Sequence, residues 1–255
     1  MAVRHASAYA LRTWPLGEAD LIVELFTLER GRVRAVARSA RRPQSRFGSA
    51  LQPFTRSQIV YFQRDKDDLG RLSSCEIERS YFETLATLEN APLAAYWAEL
   101  IIGFTPELDP IPDLYRLIGA ALDALASDAD GELMARYFEV WMLRIAGLLP
   151  DLRHCSQCGR SMQGDVWVSQ ATQGFVCGRE CGGGAAGGRL ATPARALLSA
   201  ILTNSPAQIA GGQVSRGAVR ALENATGTLI RGHLDRVPRS LRVLRRLRTG
   251  PAAEG

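Results

Sequence analysis

The first third of the chain alternates apolar and polar positions over short runs. Between residues 7 and 79 these runs are rich in β-branched residues and are separated by turn residues, a pattern typical of β-strands. Because side chains alternate across a strand, Val33, Ala35 and Ala37 are predicted to face a core while the arginines between them face outward. Five short strands are predicted, and they suit an OB-like β-barrel over residues 1–80.

The pattern changes to a helical one after Ser80, where apolar residues recur at intervals of three and four. Pro92 and Pro112 stand where first helical turns would begin, a position that proline favours. A further strong helix is predicted over residues 133–149. The middle of the chain is therefore predicted to be all-helical.

A Cys-rich and Gly-rich insert then interrupts the helices, which resume at Thr192 and Pro193, predicted as an N-cap and an N1 proline. A long amphipathic helix over residues 215–235 and a short basic helix over residues 238–248 follow. The sequence predicts a multidomain α+β protein. Its predicted parts are an OB-fold domain over residues 1–80, a helical domain over residues 81–150 and 190–250, and an insert over residues 151–189.

The charge of the chain is unevenly distributed. Residues 1–80 carry 14 basic and 9 acidic side chains, residues 81–150 carry 3 and 11, and residues 151–255 carry 14 and 6. Both ends of the chain are therefore net positive, which favours a phosphate-bearing partner. Lys66 is the single lysine, so almost all positive charge is guanidinium, which can fork onto phosphate.

No membrane partner is expected. The longest near-apolar stretch, residues 93–104, contains Glu99 and is shorter than the roughly 20 residues that a spanning helix needs. The N-terminus lacks the apolar core of a secretory signal. These features predict a cytoplasmic protein.

The densest basic segment is residues 30–46, which contains seven arginines and no acidic residue. Such a segment favours nucleic-acid binding over an ordinary solvated face. Phe47, Phe54, Tyr61 and Phe62 could stack on bases beside it, as aromatic residues do in single-strand-binding proteins. The alternative is that these aromatic residues belong to the core. The candidate DNA-binding residues are Arg30, Arg32, Arg34, Arg38, Arg41, Arg42 and Arg46.

Four cysteines form two close pairs, Cys155 with Cys158 and Cys177 with Cys181, with 18 residues between the pairs. Two short cysteine pairs brought together by a hairpin can supply the tetrahedral site that structural Zn²⁺ requires. The insert over residues 151–189 is therefore predicted to be a zinc ribbon. Two disulfides are the alternative, which a reducing cytoplasm disfavours.

A closed four-cysteine site leaves no position for a reacting water, so a zinc hydrolase or deaminase is not expected. His154 could replace a cysteine ligand, although a surface position suits it better. Cys75 stands alone in a predicted strand and is expected to be a small core residue.

Three parts of the chain match the motifs of one known family. Residues 17–54 resemble the N-terminal motif block of the RecO family of bacterial DNA repair and recombination mediators; they read GEADLIVELFTLERGRVRAVARSARRPQSRFGSALQPF. The zinc insert of this family is similar to two later segments, LLPDLRHCSQCG and GFVCGREC. Its C-terminal helix is similar to PRSLRVLRRL. The resemblance spans most of the chain, and between residues 85 and 149 it extends only to pattern and placement.

The resemblance implies an OB fold, a helical domain and a zinc module. It implies binding of single- and double-stranded DNA, annealing of complementary strands, and action in the RecF pathway with RecR to help RecA replace single-strand-binding protein. It implies DNA contacts on the basic OB surface, which carries the arginines named above. A cytoplasmic, nucleoid-associated protein is expected.

No enzymatic activity is expected. The chain has no G-x-x-x-x-G-K-[ST] motif, and the glycine run from Gly182 to Gly188 is predicted to be a flexible loop. The C-terminal arginines could contact phosphate or an acidic tail of single-strand-binding protein; they are Arg239, Arg242, Arg245 and Arg246. The alternative function is a zinc-ribbon RNA-binding or transcription-associated protein.

Overall fold

The computed structural model describes residues 2–64, 68–178, 181 and 188–249, and the side chains of residues up to 247. Lys66 and most of the predicted glycine loop lie outside the described residues. The chain divides into two compact units, Met1–Arg116 and Leu117–Gly255. Mixed α and β structure is confirmed, with strands in the N-terminal unit and mostly helices in the other. The three predicted domain ranges stay a prediction.

Five strands pair into a closed ring in the order β1-β2-β3-β5-β4. All neighbours are antiparallel except β3 and β5, which run parallel. The ring is closed by a short pairing of β3 with β5, which joins Ala35, Val36 and Ala37 to Gly70, Arg71 and Leu72. The strands are β1 (Ala2–Leu16), β2 (Asp20–Thr27), β3 (Gly31–Ala37), β4 (Arg56–Gln63) and β5 (Gly70–Arg79).

The interior of this sheet is filled by the alternating apolar positions. Val33, Ala35 and Ala37 are buried on β3 as predicted, while Arg32 and Arg34 lie on the opposite face. A short 3-10 helix, Gly48–Leu51, adds to this core. The period-two pattern therefore predicted the two faces of β3 correctly.

The aromatic residues considered as base-stacking platforms are mostly part of the core. Phe47, Phe54 and Tyr61 are almost fully buried. Phe54 packs edge-on against Trp97, with ring centroids 6.3 Å apart. Their burial excludes base stacking by these three rings, because each ring is already packed against apolar side chains. The fourth aromatic residue considered, Phe62, is half-buried.

A segment that follows the second helix lies along β3. Leu108 N donates to Arg32 O over 2.9 Å, and Glu107 forms a parallel bridge with Arg32. Gly31 allows this approach, because a Cβ there would lie 1.8 Å from Asp109 O, and its φ of +65° suits glycine. The turn between β2 and β3 therefore depends on glycine.

Helices make up most of the rest of the described chain. The predicted helix over residues 133–149 ends at Ile145, because Gly147 takes a left-handed φ of +70° and the N–H groups of Leu148 and Leu149 turn back to Leu143 O. The helices are α1 (Phe82–Leu85), α2 (Asn90–Phe104), α3 (Pro112–Ala126), α4 (Gly131–Ile145), α5 (Thr192–Thr203), α6 (Pro206–Ala210), α7 (Arg216–Leu234) and α8 (Arg239–Thr249).

The insert forms a small antiparallel sheet in the order β7-β6-β8. Its strands are β6 (Val166–Ser169), β7 (Gly174–Val176) and β8 (Arg189–Leu190). The predicted hairpin between the two cysteine pairs is formed by β6 and β7. β8 was not predicted, since two residues are too short to show a period. Among the helices described, none has the length and apolar character needed to span a membrane.

Candidate nucleic-acid interface and metal centre

The arginines on β3 are held by carboxylates. Arg32 Nη1 lies 2.6 Å from Glu24 Oε1, and Arg34 Nε lies 3.0 Å from Glu107 Oε1. Glu24 is fully buried and also accepts from Arg12 Nε over 2.8 Å. Arg32 and Arg34 are therefore engaged in ion pairs, and the sequence pattern did not reveal the pairing of Arg34 because Glu107 lies 73 positions further along the chain.

Three of the remaining arginines meet around one open cavity. Its volume is about 740 Å³, and among the described residues no carboxylate lines it. Its lining consists of Arg38, Ser39, Arg42, Pro43, Gln44, Ser45 and Arg46. These three arginines are exposed, and no side-chain ion pair is found for them within the described chain. The cavity is therefore a positively charged surface of the N-terminal unit.

The segment that carries this cavity is fastened to the turn between β1 and β2. Ser39 N donates to Asp20 Oδ1 over 2.7 Å, and Arg41 N donates to Ala19 O over 3.0 Å. The Arg41 guanidinium donates to Gly17 O and Glu18 O, each over 3.1 Å. The Arg41 guanidinium thus binds carbonyl oxygens of the turn between β1 and β2.

Five of the seven candidate arginines therefore separate into two groups. Arg38, Arg42 and Arg46 surround the cavity, whereas Arg32 and Arg34 are paired with carboxylates. Arg30 is half-buried in the turn between β2 and β3. Within this set, the cavity arginines are the ones most open to a phosphate.

The four predicted metal ligands converge. The Sγ atoms of Cys155, Cys158, Cys177 and Cys181 all lie within 4.8 Å of one another. Cys177 Sγ is 3.7 Å from Cys158 Sγ and 3.6 Å from Cys181 Sγ. Tetrahedral Zn²⁺ with bonds of about 2.3 Å places its sulfur ligands about 3.8 Å apart. The spacing fits structural zinc, and all four cysteines are free thiols rather than disulfides.

Local backbone geometry brings the first pair into place. Gly159 takes a φ of +71°, and its N–H donates to Cys155 O over 2.9 Å, which closes the turn between the two cysteines. Ser156 then ties this turn to β7, because its N and its Oγ both donate to Phe175 O over 2.9 Å. Cys177 directly follows β7.

The electrostatics of the cluster also suit a cation. Hydrogen bonds from the backbone and side chain of Arg160 lower the pKa of Cys158 to about 6. The hydrogen bond with Cys177, followed by that with Cys158, raises the pKa of Cys181 to about 12. Four thiolates at this separation would repel one another, so a bound cation is what allows all four to ionise.

Two side chains attach the insert to α5, Asp165 from the insert and Arg195 from the helix. Asp165 accepts a hydrogen bond from Thr192 N over 2.7 Å, so a carboxylate of the insert caps the start of α5. The prediction of Thr192 as the N-cap is wrong, because Thr192 is the first helical residue and Ala191 occupies the N-cap. Arg195 donates to the carbonyl oxygens of Leu152 and Met162 over 2.8 Å and to that of Gly164 over 3.0 Å.

The two isolated candidates are outside the cluster. His154 Nδ1 lies 2.9 Å from Asp151 Oδ2 at the exposed surface, as its predicted surface role requires. Cys75 packs against the core of the five-stranded sheet, and burial raises the pKa of its thiol. Neither residue contributes to the metal centre.

Comparison with known proteins agrees with this architecture. Two family models match, Recombination protein O N terminal over residues 1–81 and Recombination protein O C terminal over residues 85–242. A protein of Pelotomaculum thermopropionicum named DNA repair protein RecO is 32% identical over 255 residues, covering 100% of this chain and 98% of its own. A protein of the same name from Koribacter versatilis is 35% identical over 178 residues, covering 70% of this chain and 72% of its own. The chain therefore belongs to the RecO family.

Proposed function

We propose that this protein acts in DNA repair by binding DNA strands and promoting the annealing of complementary ones. Its membership of a family whose relatives are named for DNA repair supports the repair role. The observation that carries DNA binding is the cavity with Arg38, Arg42 and Arg46 on its wall and no described carboxylate in its lining.

The position of this cavity supports an OB fold as its framework. OB folds bind oligonucleotides on the face of their second and third strands and on the loop between the first two. The cavity segment follows β3 directly and is bonded to the turn between β1 and β2. A strand bound in the cavity would therefore lie where OB domains bind oligonucleotides.

The proposed mechanism is charge neutralisation. Guanidinium groups that bind the phosphates of a strand reduce the repulsion that slows its encounter with a complement, and base pairing supplies the driving force. The protein consumes no nucleotide and performs no catalytic step. The four cysteines would hold a structural Zn²⁺, which stabilises the insert when it is bound.

The proposal includes partners. The protein would work in the cytoplasm at the nucleoid, with RecR, on DNA that is coated by single-strand-binding protein, and it would help RecA to replace that coat. Single- and double-stranded DNA would both be bound, because the cavity arginines would contact phosphates, which both forms of DNA present, rather than base edges.

The test compares two triple variants. Arg38→Ala/Arg42→Ala/Arg46→Ala removes the cavity charge, and Arg116→Ala/Arg144→Ala/Arg220→Ala removes equal charge from exposed positions on helices. If each cavity arginine binds one phosphate, single-strand binding by the cavity variant should depend less steeply on salt. The slope of the logarithm of the binding constant against the logarithm of the salt concentration should be smaller by roughly 2, at about 0.7 per contact.

Annealing of complementary DNA oligonucleotides should slow in the cavity variant and stay near the wild-type rate in the control variant. An unchanged slope in the cavity variant would exclude these arginines. Tight binding of RNA hairpins by the wild-type protein, without any acceleration of DNA annealing, would replace the repair role with an RNA-binding one.

A further inference from the structure

The outer face of the five-stranded sheet carries an aromatic residue, Trp14, that the proposed function does not use. Trp14 on β1 pairs with Ile22 on β2, and Ile22 pairs with Val36 on β3. All three side chains are half-buried, whereas the neighbours of the last two, Val23 and Ala35, are buried in the core. Because side chains alternate across a strand and paired residues share a face, the three side chains lie on the outside of the sheet.

A guanidinium group is fixed beside the Trp14 ring. Arg12 Cζ lies 5.1 Å from the centroid of this ring. Arg12 Nε donates to the buried carboxylate of Glu24 over 2.8 Å, while 55% of the Arg12 side chain stays exposed. Nucleic-acid bases stack on aromatic rings and on guanidinium planes. Arg12 and Trp14 together therefore form a stacking platform for a base.

This platform lies within reach of the arginine cavity. Trp14 is two strands away from Val36, which at about 4.8 Å between strands is roughly 10 Å. Val36 comes two residues before Arg38 of the cavity wall, and the Arg41 guanidinium ties the cavity segment to Gly17, three residues after Trp14. At about 3.4 Å per nucleotide, roughly three nucleotides cover this separation. A strand whose phosphates bind in the cavity can therefore place a base on the platform.

The charge around the platform suits a polyanion. The two carboxylates of β2 are both engaged: Glu24 pairs with Arg12 and with Arg32, and Asp20 Oδ1 accepts from Ser39 N over 2.7 Å. The exposed arginines of the cavity add positive charge on the same side of the turn between β1 and β2. This charge favours a nucleic-acid strand over an apolar partner.

We propose that Arg12 and Trp14 form a base-binding subsite, on which one unpaired base of a DNA strand stacks while its neighbouring phosphates lie in the cavity. This inference rests on the proposed DNA binding and adds a preference for single strands. The bases of a duplex are already paired and stacked on one another, so they cannot lie on the platform. The subsite would take over the role that the buried rings of Phe54 and Tyr61 cannot perform.

The experiment separates base stacking from phosphate binding. Fluorescence anisotropy measures the binding of a labelled oligothymidylate and of a labelled DNA duplex of the same length to the full-length protein. Quenching of tryptophan emission by unlabelled oligothymidylate reports stacking on an indole ring. The variants are Trp14→Ala, the conservative Trp14→Phe, and the control Leu16→Ala, which shortens a 40% exposed apolar side chain two residues further along β1.

Trp14→Ala is expected to weaken oligothymidylate binding by roughly tenfold and duplex binding by less than about twofold. Its salt dependence should stay that of the wild type, because no charge is removed. Trp14→Phe should keep most of the affinity, since phenylalanine also stacks, but it should lose the quenching that the wild type shows. Leu16→Ala should bind both DNAs like the wild type.

Three results would overturn the subsite. They are an unchanged oligothymidylate affinity in Trp14→Ala, equal losses of single-strand and duplex affinity in that variant, and quenching that survives in Trp14→Phe. The last readout holds even if Trp14→Ala folds poorly, because Trp14→Phe retains a ring at this position. Failure of the wild-type protein to bind either DNA would instead refute the proposed function itself, whereas binding that depends on the cavity arginines but not on Trp14 would refute the subsite alone.

Discussion

A buried ion network in the helical unit allows a sharp test of how charge contributes to the stability of this protein. Arg136 and Glu139 on α4 are each only 1% exposed, and their side chains are joined by a contact of 2.6 Å. Arg136 also contacts Glu223 on α7 at 3.1 Å. Replacing Arg136 by Met would remove an ion-pair partner from two buried carboxylates: Glu139 would keep its hydrogen bond from Thr226 Oγ1, and Glu223 would keep its ion pair with Arg245.

The expected loss of stability is large. Removing one partner of a buried ion pair typically costs about 3–5 kcal/mol, because the remaining charge stays desolvated without compensation. Folded domains are stable by only about 5–15 kcal/mol in total. At roughly 2–4 °C per kcal/mol, the melting temperature of the helical unit should fall by on the order of 10 °C.

The chain offers a matched control. Arg116 and Asp113 on α3 have the same spacing of three residues, but they are 72% and 69% exposed. Arg116→Met should cost at most about 1 kcal/mol, because water screens and solvates an exposed pair. Urea and thermal denaturation followed by circular dichroism measure both variants.

A similar loss in the two variants would refute the argument from desolvation. The double variant Arg136→Met/Glu139→Leu adds a second check. It also removes the buried Glu139 carboxylate, while Glu223 keeps its ion pair with Arg245. Part of the stability lost in Arg136→Met should therefore return.

Three other predictions follow from the site and its supports. Cys158→Ser should release zinc, measured by metal analysis of the purified protein, and lower the melting temperature; a wild-type protein purified without zinc would contradict the metal assignment. Gly31→Ala should destabilise the N-terminal unit by several kcal/mol in urea titrations, since its Cβ would overlap Asp109 O; a loss below about 1 kcal/mol would show that the neighbouring segment moves freely. Glu107→Gln should strengthen DNA binding and steepen its salt dependence by releasing Arg34, and unchanged binding isotherms would place Arg34 outside the DNA interface.

Much of the architecture was predictable because it depends on local patterns. The period-two runs around Val33 and Ala35 identified β3 and its buried face. The helical periods and the proline positions located most of the helices, with α4 ending four residues early at a left-handed glycine. The two cysteine pairs, whose ligands are three and four residues apart, identified the metal cluster.

The functional meaning of individual arginines depended on contacts between distant parts of the chain. The pairing of Arg34 with Glu107 joins residues that are 73 positions apart, and it exists because the segment after α2 lies along β3. Arg41 and Arg42 are neighbours of identical chemistry, yet Arg41 bonds the turn between β1 and β2 while Arg42 lines the cavity.

The sequence by itself determined which residue types were available: a row of arginines, two cysteine pairs, and the periods that form strands and helices. Tertiary structure decided which arginines stay exposed and which aromatic rings are buried, as it does for Phe54 and Tyr61. The physical reason is that periodicity reports only the face on which a side chain lies. Burial and ion pairing depend on which other segment covers that face, and distant residues supply that segment.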